Sequence, residues 1–163
     1  MAEAVEHSMQ YFNDQDLQSV AAYLKSLPPS GKPLAPVFTL DDFARKKGAL
    51  DYEVNCSACH GVNGEGISGM VPAFAGNDSM LHDPTNMITA MLNGARAPHS
   101  AERQTAAGMP SFAWKMDDAQ VAGILNYVRS SWGNQASEVK TSDVATQRKQ
   151  SGAVNKITSS SAQ

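Results

Sequence analysis

The chain has 163 residues, enough for one domain of ordinary size plus extensions. Its formal net charge of −3 leaves no basic face for a nucleic acid. No apolar run approaches the ~20 residues that span a bilayer, and Met1–Gln10 lacks the basic start and apolar stretch of a signal peptide.

In chain order, Asn13 or Asp14 is placed to cap a helix running to about Leu27, with Leu17, Val20, Ala21, Leu24 and Leu27 along one side. Pro28-Pro29 stops it, because a residue before proline is pushed out of helical geometry. The Pro- and Gly-containing stretch 30–38 reads as a linker, which separates a helical tail at 1–29 from the next unit. Thr39-Leu40-Asp41-Asp42 resembles a capping box and predicts a helix to about Asn55, with Gly48, Tyr52 and Cys56 stacked on one face. Gly61, Gly64, Gly66, Gly69 and Pro72 then form a loop able to wrap a flat ligand closely. Asp83-Pro84 opens a helix with a Met87, Ile88, Met91 and Leu92 stripe, and Asn93-Gly94 ends it. Arg96–Gly108 shows no period and reads as a long loop. Asp117-Asp118 starts a last helix with Val121, Ile124, Leu125, Val128 and Trp132 on its buried side. This defines a domain at 39–135. The Ser-, Thr-, Gln- and Lys-rich remainder, 136–163, lacks an apolar period and is expected to be a mobile polar tail.

The chemistry is concentrated in Cys56-Ser57-Ala58-Cys59-His60, the Cys-x-x-Cys-His signature of covalent c-type haem attachment. Two thiols one turn apart can add across the two haem vinyl groups, and the adjacent histidine supplies an imidazole nitrogen to the iron. These are the chain's two cysteines, so neither a four-ligand zinc site nor an iron–sulfur cluster has enough donors. A thioredoxin-like dithiol would sit beside a βαβ pattern, and alternating strand-like runs are absent from the sequence.

A haem with one protein ligand can bind small molecules, whereas one with two serves mainly as an electron carrier. Candidates for the second ligand are His82, His99 and the methionines at 70, 80, 87, 91, 109 and 116. Met87 and Met91 fit core filling on a helical stripe, and the two histidines lie in polar turn sequence. Met109 stands in Ala107-Gly108-Met109-Pro110-Ser111-Phe112, an extended segment stiffened by proline, and is the expected ligand opposite His60, with Met116 and His99 behind it. Arg96 is placed to reach a haem propionate, a solvated surface arginine being the plain alternative.

Over about Thr39 to Asn134 these marks resemble the cytochrome c family: Gly48 and Tyr52 before Cys56, the pentapeptide itself, Pro72, Gly108-Met109-Pro110, and Tyr127 in the last helix. The resemblance implies an all-α, cytochrome c-like fold wrapped around one covalent haem c. It also implies that the Pro72 carbonyl holds the second ring nitrogen of His60. A narrower likeness lies in Asn55–Gly61, Met109–Phe112 and Asn126–Asn134, which are similar to the last domain of multi-haem cytochrome subunits of bacterial membrane-bound alcohol and gluconate dehydrogenases. Met1–Pro29 is similar to the end of the preceding haem domain, with Met1 at its axial position, so the chain reads as a C-terminal fragment.

The implied function is single-electron transfer by a His60/Met109 haem, with no reaction of the chain's own. Electrons would pass from a periplasmic quinoprotein or flavoprotein dehydrogenase, through other cytochrome domains, toward quinone or a terminal oxidase. The expected location is the periplasm or the periplasmic face of the inner membrane, with membrane association arising through a complex. The alternative is a haem enzyme or a gas or redox sensor whose sixth iron position is open or displaceable.

Overall fold

The computed structural model describes residues 2–28 and 36–160. It is all-α in character, as expected. The helices are α1 (Ala2–His7), α2 (Asp14–Ser26), α3 (Asp42–Asn55), α4 (Ser57–His60), α5 (Thr85–Asn93), α6 (Asp118–Arg129) and α7 (Thr141–Ser160). Two two-residue strands, β1 (Ala95–Arg96) and β2 (Gly108–Met109), pair with each other.

The chain divides into two units, Met1–Pro33 with Arg96–Gly108, and Leu34–Ala95 with Met109–Gln163. This differs from the expected division, because the long loop after β1 groups with the N-terminal helices. Side chains near α1 hold that loop: the His99 N–H donates to Glu6 Oε1 at 2.6 Å, and the Ala101 N–H donates to Gln10 Oε1 at 3.0 Å. In the same unit Asn13 caps α2, its Oδ1 accepting from the Asp16 N–H at 2.9 Å. No residue of α2 is buried. Of the linker expected at 30–38, residues 30–35 lie outside the described residues.

The second unit carries the core. Helix α3 packs on α6, and α7 packs on both α5 and α6. Tyr52, Ile88, Met91, Leu92, Val121, Ile124, Leu125 and Val128 are buried together. Asp41 caps α3, its Oδ1 accepting from the Ala44 N–H at 2.8 Å, so the helix begins two residues later than Thr39 would have set it. Helix α6 has a full capping box, in which the Asp117 side chain accepts from the Gln120 N–H and Gln120 Oε1 accepts from the Asp117 N–H.

The crossing of α3 over α6 depends on Gly48. A Cβ there would lie 2.8 Å from Tyr127 Cβ and 3.0 Å from the Gly123 carbonyl oxygen, so only glycine lets the two backbones approach this closely. Beside the crossing, Tyr52, Tyr127 and Trp132 form an aromatic triangle with ring centroids 5.2–5.6 Å apart. It lies one helical turn before Cys56 and so braces the approach to the haem motif.

The mobile tail expected at 136–163 is corrected by the structure over its described part. Ala136, Val139 and Val144 are buried, and α7 follows directly. Polar side chains hold this segment alongside those few buried apolar ones. Asn126 exchanges two hydrogen bonds with the Val139 backbone, at 3.0 and 2.7 Å. Arg129 is 1% exposed and donates to the carbonyls of Met80 and His82, and to the carbonyl and hydroxyl of Ser137. Burial lowers the proton affinity of this guanidinium and nearby Asp83 opposes the effect.

Candidate functional site

The Cys-x-x-Cys-His residues occupy one tight turn at the end of α3. The Cys56 N–H still bonds to the Tyr52 carbonyl at 2.8 Å, but its backbone (φ −126°, ψ −34°) leaves the helical path. The new turn then winds from the Cys56 carbonyl, which accepts from Cys59 N–H at 3.2 Å and His60 N–H at 3.0 Å. Positions i and i+3 of such a turn share one side, so both thiols face the same way. Both cysteines are free; Cys59 is exposed and Cys56 half-buried. Burial, reinforced by Asp51 and Cys59, pushes the Cys56 thiol up to about 11.

Three hydrogen bonds hold the turn and the loop after it. Tyr52 Oη donates to the Gly61 carbonyl at 2.6 Å, and burial raises the tyrosine's proton affinity, keeping it a donor. The Gly66 N–H reaches back to the His60 carbonyl at 2.8 Å. The Phe74 N–H bonds to the Gly64 carbonyl at 2.7 Å, which brings the Phe74 ring against His60. Those two rings stack at 4.1 Å with planes 12° apart.

His60 itself is buried enough that its proton affinity is lowered, favouring the neutral imidazole that a metal requires. Among the described residues its buried Nδ1 has no hydrogen-bond partner. The ring stacks on Phe74, and Pro72 is exposed. An orphaned buried ring nitrogen costs on the order of 1–3 kcal/mol, which suits a side chain whose final setting depends on a bound group.

Met109 comes from β2, at the start of a segment docked on the C-terminal end of α5. Gly94 permits that docking. Its φ is +78°, and a Cβ would lie 2.7 Å from the Met109 carbonyl oxygen and 3.1 Å from the Ser111 nitrogen. Beyond it, Ser111 Oγ donates to the Leu92 carbonyl at 2.5 Å and the Phe112 N–H to the Met91 carbonyl at 2.8 Å. Lys115 Nζ donates to Asn55 Oδ1 at 2.6 Å, tying this segment to the residue before Cys56. Cys56, Phe74, Met109 and Phe112 are all partly buried against the same hydrophobic cluster.

The other candidates are placed differently. Met80, Met91 and Met116 are core residues, and Met87 packs against the core. Met70 is half exposed, and His82 and His99 are exposed. Arg96 is exposed at the end of β1. Met1 lies outside the described residues. Phe74 is the contact that sequence reasoning missed, since nothing in Pro72-Ala73-Phe74 marks an aromatic face for the histidine.

Among the described residues no three His, Cys, Asp or Glu side chains converge as a site for a bare metal ion. What the structure offers is two free thiols and an imidazole on one turn, with Phe74 stacked on the imidazole, and a thioether at Met109 packed on the same hydrophobic cluster as Cys56. That set fits a covalently held haem, which asks the protein for two thioether links and two axial donors. A separate cavity of about 290 Å³, lined by Asp83, Ile88, Asp143 and Gln147 among others, contains none of these residues.

Comparison with known proteins points the same way. The family model described as Cytochrome c matches residues 46–132. The gluconate 2-dehydrogenase cytochrome c subunit of Pantoea cypripedii is 38% identical over 161 residues, covering 91% of this chain and 36% of that protein. The cytochrome c subunit of alcohol dehydrogenase (quinone) from Gluconacetobacter polyoxogenes is 34% identical over 164 residues, covering 94% and 35%. The fructose dehydrogenase cytochrome subunit of Gluconobacter japonicus is 30% identical over 169 residues, covering 88% and 35%. The chain spans about a third of the length of these relatives.

Proposed function

From the premise that this chain belongs to the cytochrome c family, we propose that it is a single-electron carrier holding one haem c. Cys56 and Cys59 form the two thioether links, and His60 and Met109 are the axial ligands. When bound, the haem supplies a one-electron ferric–ferrous couple. The chain's own residues set its surroundings. The neutral His60 offers a ring nitrogen lone pair, and Met109 offers a soft thioether, a pairing that raises the potential relative to two nitrogen ligands. Phe74, Phe112 and the cluster behind them keep water from the apolar faces. Arg96 would approach a propionate, and the Pro72 carbonyl would hold the second ring nitrogen of His60.

The observation that carries this reading is that both thiols and a neutral imidazole share one backbone turn, while Met109 packs on the same cluster as Cys56. With both axial positions filled there is no site for a substrate, so the chain acts by passing electrons between partners. The relatives named as cytochrome subunits of gluconate, alcohol and fructose dehydrogenases support a role as an electron-transfer part of a dehydrogenase complex. In our reading the donor is a quinoprotein or flavoprotein subunit, other cytochrome domains lie between, and quinone or a terminal oxidase receives the electrons. Among the described residues no helix is long and apolar enough to cross a membrane. A periplasmic position, or one on the periplasmic face of the inner membrane through the complex, accords with covalent haem attachment.

The ligand assignment is tested with Met109→Ala and Met116→Ala in the haem-loaded protein. Met109→Ala keeps the covalent haem, loses the weak near-infrared absorbance of a methionine–iron bond, and binds carbon monoxide when reduced. Met116→Ala lowers stability by about 2–5 kcal/mol, as expected for a buried side chain, and leaves the spectrum unchanged. The reverse pattern would assign the iron to Met116.

A further inference from the structure

Arg148 stands on α7, outside the residues matched by the family model, yet all three of its guanidinium nitrogens are spent on the segment that follows Met109. Nε donates to Asp118 Oδ1 at 2.6 Å, one terminal nitrogen to the Ala113 carbonyl at 2.7 Å, and the other to the Met116 carbonyl at 2.8 Å. The Arg148–Asp118 pair is partly sheltered, with side chains 31% and 26% exposed. A planar guanidinium with donors in a fixed fork grips two carbonyls and a carboxylate in one geometry, which a lysine cannot do.

The position of these acceptors gives the contact its meaning. Ala113 and Met116 are the two ends of the turn closed by Lys115 N–H and Met116 N–H on the Phe112 carbonyl, at 3.0 and 2.9 Å. That turn joins Met109-Pro110-Ser111 to the start of α6. On one side α5 holds it through Ser111 and Phe112; on the other Arg148 holds it from α7. Val139 and Val144, buried at the start of α7, anchor the helix that presents the arginine.

We propose that Arg148 is a positioning residue for Met109. Helix α7 braces the 113–116 turn, and the turn keeps the Met109 segment pressed toward the site. This rests on the reading of Met109 as an iron ligand. A brace of this kind resists loss of the thioether to a competing ligand, so its removal shows in ligand exchange and not only in melting temperature.

The test uses the full-length, haem-loaded chain as parent, Arg148→Ala, Arg148→Lys and Met109→Ala. Imidazole is titrated into each ferric protein, and loss of the near-infrared methionine–iron absorbance is followed alongside thermal melting. Arg148→Ala is expected to bind imidazole about tenfold more tightly than the parent, the effect of losing one strong hydrogen bond's worth of restraint. Arg148→Lys should fall between, because an ammonium can still face Asp118 but cannot grip both carbonyls. An imidazole affinity within about twofold of the parent's, with only a lower melting temperature, would overturn the proposal and leave Arg148 a purely structural anchor. If Arg148→Ala does not fold, Arg148→Lys decides by the same criterion. If Met109→Ala keeps the near-infrared absorbance, the ligand reading itself fails and takes the brace with it.

Discussion

Helices α2 and α6 are written in the same language and meet opposite fates. Both begin with a side-chain cap, Asn13 in one and Asp117 in the other, and both carry an apolar stripe at helical spacing. In α6, Val121 is 0% and Ile124 2% exposed, whereas in α2 Leu17 is 38% and Leu24 59% exposed. Amphipathic spacing therefore states which face a helix could bury, not whether a partner covers it. Helix α6 has α3 and α7 against its stripe. In the long relatives, the sequence aligned with α2 lies within proteins about three times the length of this chain.

The first prediction breaks the comparison at its strongest point. Ile124→Ala should destabilise the protein by about 2–5 kcal/mol, since it removes a side chain that is 2% exposed within the core cluster. Leu24→Ala on α2 should change stability by no more than about 0.5 kcal/mol. Urea unfolding followed by circular dichroism reads both; equal costs would mean that α2 is as deeply packed as α6.

Gly48→Ala comes next. The new methyl would press on Tyr127 Cβ and the Gly123 carbonyl of α6, so about 1–3 kcal/mol should be lost to overpacking. In an unpartnered helix the same change would stabilise by up to about 1 kcal/mol. A rise in the unfolding midpoint would contradict the close α3–α6 crossing.

The caps give the smallest effect. Asp117→Ala removes half of the capping box of α6 and should lower the unfolding midpoint by an amount worth about 1 kcal/mol. Asn13→Ala should fray α2, seen as faster amide exchange at residues 14–17, with the main transition unmoved. A shift of the main transition by Asn13→Ala would couple α2 to the core.

The same contrast explains what was legible in the sequence. Helices α2, α3, α5 and α6 announced themselves through caps and apolar period, and the haem motif through its spacing. Asp41 took the cap in place of Thr39, a two-residue shift that propensity alone could not resolve. Helix α7 was read as a mobile tail because it offers few apolar residues. Its hold comes from the buried Val139 and Val144 and from Asn126, Arg129 and Arg148 bonding between distant residues, and such long-range hydrogen bonds leave no periodic trace. In the candidate site, residue type and spacing suffice to propose the donors. The stacking of Phe74 on His60 and the unpartnered Nδ1 were not legible there, because loop conformation decides both.

The proposed role, electron transfer on a haem with both axial positions held by protein, has a direct test. Exposing the reduced, unmodified, haem-loaded chain to carbon monoxide tests it most directly. If Met109 holds the sixth position as proposed, the ferrous spectrum is low-spin and carbon monoxide leaves it unchanged over minutes. Rapid conversion to a carbon monoxide adduct would contradict that proposal and favour a haem with an open, reactive face.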